Sequence, residues 1–238
     1  MFNYYAKYYD AFYSHKTQED VDYIKSIISK YQPSTKNVLS FGCGTGRHEF
    51  LLSEDYKVTG VDVSFEMLTI ANDCRKTENN EFILGDIRNV KLAKKFDTCV
   101  SLFHILDYLS TNKDLSEVFS NINEHLNDGG LFIFDVWYGP AVLHIKPDER
   151  TQTTNEITKK CTPTLLENKN SVDVKYDFLE KDISVFSETH TMRYYFIPEL
   201  LVELEKAGFE VIKTEEWITE NEPSINTWSV CFVCRKTK

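Results

Sequence analysis

Positive charge is scarce in this chain compared with negative charge. Its 238 residues include 27 lysines and arginines against 37 aspartates and glutamates, which gives a formal net charge of −10 at pH 7. Proteins that bind DNA or RNA attract the phosphate backbone with basic patches, and a surface of the opposite sign repels it. We therefore expect no nucleic-acid partner.

Long apolar runs are also missing. No stretch of the sequence reaches the length of a transmembrane helix. The opening residues, MFNYYAKYYDAFYSH, are aromatic and polar, without the charged and apolar regions of a signal peptide. These absences predict a soluble, cytoplasmic protein with no membrane partner.

The six cysteines lack the spacing of a secreted disulfide framework, because they are scattered through segments typical of buried strands and helices. Cys231 and Cys234 form a C-x-x-C pair inside the apolar stretch WSVCFVC. A zinc site requires two more ligands at suitable spacing, and a redox pair normally lies at a helix start. We therefore predict buried thiols in a strand and no metal site.

Strand and helix patterns alternate through the first part of the chain. Apolar residues at helical spacing predict an amphipathic helix over 17–31, with Thr17 and Asp20 as a capping pair. Ser64 is predicted to cap a later helix. Five apolar strands are predicted between the helices, at 37–41, 57–63, 81–86, 96–103 and 131–137. This alternation predicts a mostly parallel sheet with helices on both faces and a ligand crevice at the carboxyl ends of its strands.

The pattern changes after the fifth strand. Residues 171–178, SVDVKYDF, alternate between apolar and polar side chains, and a second extended segment follows at 183–196, which predicts an antiparallel hairpin. A helix between Pro198 and Gly208 and two further strands complete the sheet. We predict one α/β domain over residues 1–238. It has a Rossmann-like seven-stranded core, at about 18–138 and 196–238, and an inserted antiparallel β subdomain at about 139–195.

A glycine-rich loop, Phe-Gly-Cys-Gly-Thr-Gly at 41–46, follows the first strand and leaves little side chain between the backbone and a docked ligand. The dinucleotide fingerprint requires a glycine at position 47 or 49, where the chain has Arg47 and Glu49, so a nucleotide oxidoreductase is disfavoured. Asp62 ends the second strand, where it can accept hydrogen bonds from both ribose hydroxyls, and Asp86 ends the third. These three strand ends suit a nucleoside without a pyrophosphate.

Four stretches, VLSFGCGTGRHEFLL, VTGVDVSFEMLTIA, FILGDIRNV and LNDGGLFIFDVW, resemble the class I S-adenosylmethionine-dependent methyltransferases in order and spacing. The resemblance implies S-adenosylmethionine as the cofactor. It places the glycine loop at the methionine part, the end of the second strand at the ribose and adenine ring, the end of the third at the adenine amino group, and the end of the fourth near the reactive sulfur. The residues implied to bind the cofactor are, in chain order, Gly42, Cys43, Gly44, Gly46, Asp62, Val63, Met67, Asp86, Ile87, Leu102 and Phe103.

Ser40 departs from the family pattern, which often has an acidic residue two positions before the first loop glycine. Contact with the methionine ammonium is therefore expected to depend more on backbone carbonyls.

The segments SLFHILDYL, YYDAFYSHK, FDVWYGP and FSETHTMRYYF are similar to those of the nucleotide-sugar N-methyltransferases. That resemblance places Tyr13 and Tyr108 beside the sulfonium and the acceptor amine, with His104 as an alternative base or a packing residue. Three further residues are predicted to contact the substrate, or else to pack in the core or pair with a surface acid: Trp137, Tyr138 and Arg193.

These patterns predict an S-adenosylmethionine-dependent methyltransferase that acts on a small molecule, above all on the amine of a nucleotide-linked aminosugar. The alternatives are O-methylation of another small metabolite and a catalytically silent module that binds the cofactor. The place after the fourth strand lacks the [N/D/S]-P-P-[Y/F] stretch of enzymes that methylate nucleic acid bases. We expect a monomer or a homodimer.

Overall fold

A computed structural model describes residues 5–13 and 16–237. The helices of this part are α1 (Tyr5–Tyr13), α2 (Thr17–Tyr31), α3 (Arg47–Leu52), α4 (Phe65–Arg75), α5 (Asn112–His125), α6 (Gly139–Ile145) and α7 (Ile197–Lys206). Its strands are β1 (Asn37–Phe41), β2 (Lys57–Asp62), β3 (Asn80–Leu84), β4 (Phe96–Ser101), β5 (Leu126–Trp137), β6 (Arg150–Thr154), β7 (Ile157–Leu166), β8 (Ser171–Glu180), β9 (Ile183–Arg193), β10 (Phe209–Glu216) and β11 (Ser229–Lys236). A short 3₁₀ turn, Ile105–Tyr108, follows β4.

Seven strands form the central sheet in the order β10-β11-β5-β4-β1-β2-β3. The first five strands are parallel, and β11 runs antiparallel to both of its neighbours. The chain proceeds from β1 to β2 and β3 on one side, then crosses to β4 and β5 on the other, so the order reverses between β1 and β4. In sheets of this kind the ligand crevice lies at that reversal. The arrangement confirms the predicted Rossmann-like sheet.

Successive residues of the parallel strands point to opposite faces and fill two hydrophobic cores. Leu39 and Phe41 of β1 join the core beneath α5 and α7, while Val38 joins the core beneath α2 and α3. All three side chains are fully buried. Burial on both faces explains why the central strands read as continuous apolar runs.

Local signals explain several element ends. The Ser64 hydroxyl accepts a hydrogen bond from the Met67 N–H at 3.2 Å, which confirms the predicted cap of α4. The predicted cap at α2 is wrong: Lys16 precedes the helix, no side chain caps it, and Asp20 accepts a hydrogen bond from Trp217 Nε1 at 3.0 Å. The Asp20 carboxylate therefore forms a tertiary contact instead of the cap of α2 that the local sequence pattern predicted.

The insertion contains more structure than the predicted hairpin. β8 and β9 form that hairpin, but β6 and β7 extend it into a four-stranded antiparallel sheet, β6-β7-β8-β9. The turn between β6 and β7 is made by Asn155 and Glu156, which both adopt positive φ. Two-residue turns of this kind usually contain glycine, which is absent here, and the mostly exposed strand RTQTT has no apolar face. The sequence therefore contained neither the turn signal nor the apolar alternation that would have predicted β6 and β7.

The inserted sheet packs against elements around the carboxyl ends of the central strands. Phe178 of β8 stacks at 5.4 Å on Tyr8 of α1 and lies in one cluster with Met67 of α4. Val172 of the same strand packs near Tyr108 of the 3₁₀ turn. Within the residues that the structure describes, none of the helices combines the length and hydrophobicity needed to cross a bilayer.

Candidate functional site

A cavity of about 290 Å³ lies at the carboxyl ends of the parallel strands, where the strand order reverses. Eight of the residues predicted to bind the cofactor line it: Gly42, Gly44, Asp62, Val63, Met67, Asp86, Ile87 and Phe103. Cys43 and Leu102 line a smaller cavity of about 30 Å³, which shares Gly42 and Gly44 with the first. Gly46 lines neither cavity and is the residue that immediately precedes α3.

The three loop glycines are required for different reasons. All three have positive φ, at 79° for Gly42, 54° for Gly44 and 78° for Gly46. A Cβ at Gly42 would lie 2.4 Å from Ile105, and one at Gly46 would lie 2.7 Å from Phe82, so neighbouring side chains exclude larger residues there. A Cβ at Gly44 would meet no atom of the structure within 4 Å, although Gly44 lines both cavities. Its open side is therefore available to a ligand.

Asp62 joins the glycine loop to the end of β2. Its Oδ2 accepts a hydrogen bond from the Gly44 N–H at 2.8 Å, and its Oδ1 accepts one from the Ser64 N–H at 2.8 Å. Burial raises the pKa of Asp62, although these backbone donors act in the opposite direction. A carboxylate can accept roughly four hydrogen bonds, so Asp62 retains capacity for two ligand hydroxyls.

Asp86 is engaged by an arginine that the sequence analysis did not predict. Arg88 Nη2 donates to Asp86 Oδ2 at 2.6 Å, and Arg88 Nη1 donates to Asp114 Oδ1 at 2.9 Å. The hydrogen bonds from Arg88 hold the pKa of Asp86 below its ordinary value. All three residues line the cavity, so the predicted adenine contact at Asp86 belongs to a charged network on this wall.

An acidic residue that was not predicted to belong to the site, Glu49, lines the smaller cavity together with the glycine loop. The Ser40 hydroxyl donates to Glu49 Oε1 at 2.5 Å, and both residues line the smaller cavity. Glu49 is buried, and no atom within 5–13 and 16–237 forms a hydrogen bond with its Oε2. Burial raises the pKa of Glu49, against the lowering effect of the His48 charge and the Ser40 hydrogen bond. The one feature of the sequence that could have pointed to Glu49 was its position in the first turn of the helix after the glycine loop.

Tyr108 is the one predicted catalytic residue that lines the larger cavity. Its Oη lies 2.9 Å from His190 Nδ1. Burial raises the pKa of Tyr108, and the nearby phenols of Tyr176, Tyr9 and Tyr13 raise it further. Tyr108 is therefore a neutral phenol at physiological pH.

Tyr13 lies behind this wall of the cavity. Its ring centroid is 4.8 Å from that of Tyr9, which does line the cavity, and Lys159 Nζ lies 4.0 Å from the Tyr13 ring centroid. The structure thus brings Tyr13 near Tyr108 with Tyr9 at the cavity surface. Tyr9 had not been singled out in the sequence.

His104 is paired in the protein interior. Its Nδ1 lies 2.7 Å from Asp135 Oδ2 on β5. Burial lowers the pKa of His104, but the charge of Asp135 outweighs that effect and the net pKa is raised. His104 does not line the larger cavity, and Phe103 and His104 both have positive φ, 63° and 61°. The turn after β4 therefore presents Phe103 to the cavity and directs His104 toward Asp135.

The three predicted substrate contacts lie outside the lining of the larger cavity. The Trp137 ring centroid is 5.7 Å from that of Trp228. Tyr138 forms an isolated bridge with Tyr195. Arg193 is almost fully buried and has its own partners, since its Nη2 donates to Asn112 Oδ1 at 2.7 Å and lies 3.6 Å from Glu199 Oε2.

Helix α1 is attached to the glycine loop by one carboxylate. Asp10 Oδ1 accepts a hydrogen bond from the Thr45 hydroxyl at 2.7 Å, and Asp10 Oδ2 accepts one from Arg75 Nη2 at 2.6 Å. Arg47 Nε lies 3.5 Å from the same carboxylate. These contacts hold Tyr9 of α1 against both cavities.

Comparisons with known proteins agree with this geometry. The sequence profile of the family described as "Methyltransferase domain" matches residues 38–130. An S-adenosylmethionine-dependent methyltransferase from Clostridium acetobutylicum has the same fold, with a TM-score of 0.86 and 20% identity over 100% of this chain and 99% of that chain. A methyltransferase by name from Geobacillus sp. (strain WCH70) is 30% identical over 225 residues, which are 90% of this chain and 90% of that protein. The chain belongs to the S-adenosylmethionine-dependent methyltransferases.

Two other relatives of this methyltransferase have names that state a substrate. A dTDP-4-amino-2,3,4,6-tetradeoxy-D-glucose N,N-dimethyltransferase from Saccharopolyspora spinosa is 28% identical, over 85% of this chain and 84% of that protein. A dTDP-3-amino-3,4,6-trideoxy-alpha-D-glucopyranose N,N-dimethyltransferase from Streptomyces venezuelae is 24% identical, over 87% and 90%.

The residues of the methyltransferase fit S-adenosylmethionine, which supplies an activated methyl group on a sulfonium sulfur. The unpartnered Oε2 of Glu49 suits the methionine ammonium, the open side of Gly44 leaves room beside the loop, and Asp62 has acceptor capacity for ribose hydroxyls. Val63 and Met67 provide apolar surface beside Asp62 for an adenine ring. No group of three or more potential metal ligands occurs in the part of the chain that the structure describes.

Proposed function

We propose that this methyltransferase transfers methyl groups to the amino group of a nucleotide-linked aminosugar. The observation that carries the proposal is the position of Tyr108 in the cavity wall, with its Oη 2.9 Å from His190 Nδ1. The two relatives named as dTDP-aminosugar N,N-dimethyltransferases, each aligned over more than four fifths of the chain, support the same acceptor class.

The protonation chemistry of the site favours an amine over an alcohol. The methyl group on a sulfonium is already activated, so an in-line approach in a site that excludes water supplies much of the catalysis. An amine whose pKa is near or modestly above 7 is partly neutral at cellular pH and requires only orientation and removal of one proton. An alcohol requires a stronger base, and His104, the predicted alternative, is engaged by Asp135 outside the cavity lining.

The proposed roles follow the placement of the side chains. Glu49 and the glycine loop bind the methionine part, Asp62 binds the ribose, Val63 and Met67 contact the adenine, and the wall of Asp86 and Ile87 lies beyond it. On the acceptor side, Tyr108 orients the amine, and Tyr13 supports that wall through Tyr9. Trp137, Tyr138 and Arg193 have no role in this proposal, because their contacts lie outside the larger cavity.

Mass spectrometry of candidate acceptors, each incubated separately with the protein and S-adenosylmethionine, tests the proposal. The protein is incubated with S-adenosylmethionine and, separately, with dTDP-linked 3-amino and 4-amino sugars, with the matching hydroxyl sugars, and with small amino acids. A mass gain of one CH₂ per transfer on the aminosugars alone supports the proposal. Methylation of the hydroxyl sugars would indicate O-methylation. Cofactor binding with no transfer to any of these compounds would contradict the proposal and favour a silent module or a different acceptor.

A further inference from the structure

We propose that His190 and Glu188 of β9 form a proton relay with Tyr108, which carries the proton of the acceptor amine from the cavity to the protein surface. The inference rests on the proposed N-methyltransferase function and extends it to two residues of the inserted sheet. Tyr108 contacts the acceptor, whereas His190 and Glu188 act through it and are positioning residues.

Three groups lie in line from the cavity outward. Tyr108 lines the cavity, and its Oη lies 2.9 Å from His190 Nδ1. On the other side of the imidazole ring, His190 Nε2 contacts Glu188 Oε1. His190 is only 1% exposed, whereas the Glu188 side chain is 19% exposed. The chain of contacts thus begins in the cavity, crosses a buried imidazole and ends at a carboxylate that meets solvent.

The two contacts of His190 define its proton positions. A carboxylate accepts the proton of Nε2, so Glu188 favours the neutral tautomer that carries its proton there. Nδ1 is then an acceptor, and the Tyr108 hydroxyl donates to it. A tyrosine oxygen that donates its proton is also an acceptor, so Tyr108, which lines the cavity, is able to take a proton from an acceptor ammonium bound there.

The groups around His190 come from four elements. Tyr108 lies on the 3₁₀ turn, Glu188 precedes His190 on β9, and the Tyr176 ring of β8 packs edge-on with its centroid 5.0 Å from that of the imidazole. The phenols of Tyr9 and Tyr13 on α1 are near Tyr108. Burial keeps the phenols protonated. Asp107, the neighbour of Tyr108, is a second carboxylate that raises the pKa of Tyr108, but it is fully buried, whereas Glu188 meets solvent and is therefore the destination for the proton.

The proposed step conserves protons and electrons. The ammonium form of the acceptor gives one proton to Tyr108 Oη, the phenol proton passes to His190 Nδ1, and the Nε2 proton passes to Glu188, which releases it to water. The nitrogen lone pair freed in this way forms the new C–N bond as the methyl–sulfur bond breaks, and the electrons of the broken bond remain on sulfur. No phenoxide accumulates, in agreement with the raised pKa of Tyr108.

The test is the pH dependence of turnover in Glu188→Gln and His190→Gln, assayed with a dTDP-linked aminosugar. Glutamine preserves the size of the glutamate side chain but takes up no proton. We expect kcat to fall about a hundredfold at about pH 6.5, where the acceptor is mostly ammonium, and to come within about threefold of the wild type at about pH 9.5, where it is mostly free amine. The Kd of S-adenosylmethionine is expected to stay within about twofold.

Two further comparisons separate the relay from a packing role. Asp173→Asn, which alters a half-buried carboxylate that accepts a hydrogen bond from the Thr191 hydroxyl between β8 and β9, is the matched control and should leave kcat unchanged at every pH. Tyr108→Phe combined with Glu188→Gln should be no slower than the slower single variant, because both interrupt one relay. Equal losses at all pH values, or additive losses in the double variant, would overturn the relay while the proposed function stands. A wild-type protein that methylates no aminosugar would overturn both.

Discussion

The Ser40 hydroxyl donates to Glu49 Oε1 at 2.5 Å, while Glu49 Oε2 has no hydrogen-bond partner among the described residues. Ser40 occupies the position where related methyltransferases often have an acidic residue. In this protein Glu49, in the first turn of α3, brings a carboxylate into contact with Ser40. The sequence predicted that contact with the methionine ammonium depends more on backbone carbonyls, and Glu49 adds a side-chain carboxylate as a candidate partner for it. An unpartnered buried carboxylate oxygen is costly unless a ligand supplies a donor.

Glu49→Gln should weaken binding of S-adenosylhomocysteine by about 1.5–3 kcal/mol, because a charge-assisted hydrogen bond to the ammonium is lost. Binding of methylthioadenosine, which lacks the amino-acid part, should be unaffected. Titration calorimetry with both ligands measures the difference. Glu54→Gln, an exposed glutamate just after α3, is the control. Equal weakening of both ligands would show that Glu49 supports the loop without contacting the ammonium.

Asp62→Ala should weaken S-adenosylmethionine binding by about 1–3 kcal/mol through lost ribose hydrogen bonds. The ionised carboxylate accepts these bonds, so protonation removes them as the pH falls. Because burial raises the pKa of Asp62, wild-type affinity should begin to fall at a higher pH than an ordinary aspartate would cause. The affinity of the alanine variant should lack this pH dependence. Unchanged affinity in Asp62→Ala would place the ribose elsewhere.

The sequence predicted those parts of the molecule that depend on contiguous residues. The glycine loop, the Ser64 cap and the alternating face of β8 are local patterns, and the structure confirms each of them. Asp62 was predicted to lie at the cavity because it ends a strand of a parallel sheet, where topology alone fixes the position.

The features that the sequence did not predict depend on contacts between residues that are distant along the chain. Asp20 binds Trp217 across the chain instead of capping α2, and Arg88 reaches both Asp86 and Asp114. Local propensity contains no information on such partners. His190 illustrates the same limit, because its neighbour Tyr108 is 82 positions away and is brought to it only by the folding of the insertion over the 3₁₀ turn.

Tyr108→Phe should reduce kcat for an aminosugar about tenfold or more with little change in cofactor affinity, because the hydroxyl acts on the acceptor and its proton. Steady-state kinetics and a separate cofactor titration measure the two effects. Tyr31→Phe, at the end of α2 and outside both cavities, is the control. Matching losses in kcat and in cofactor affinity would place Tyr108 in the cofactor site.

Asp10→Asn should accelerate dissociation of S-adenosylmethionine about tenfold, since α1 loses charge-assisted contacts with Arg75 and Arg47 that hold Tyr9 over the cavities. Stopped-flow displacement of the cofactor measures the rate. Asp22→Asn, a change on the exposed face of α2 where Asp22 accepts from Gln18, is the control. An unchanged dissociation rate would show that α1 does not retain the ligand.

Lys159→Met should stabilise the protein at neutral pH. Lys159 on β7 is buried, with Nζ 4.7 Å from the Phe12 ring centroid and 4.0 Å from that of Tyr13, and burial lowers its pKa to about 8.

The sign of the pH effect follows from this lowered pKa. Below pH 8 the lysine is charged in both the folded and unfolded states, and the folded state bears the cost of burying the charge. Between about pH 8 and 10.5 the unfolded chain binds more protons than the folded protein. The free energy of unfolding of the wild type therefore rises with pH relative to that of the variant. The advantage of Lys159→Met should therefore be roughly 3 kcal/mol at pH 7 and should vanish above about pH 10.5. Denaturant unfolding across this range measures it, with the exposed neighbour Lys160→Met as control. A difference that does not change with pH would mean that Lys159 has the same pKa in the folded and unfolded states, so that burial does not lower it.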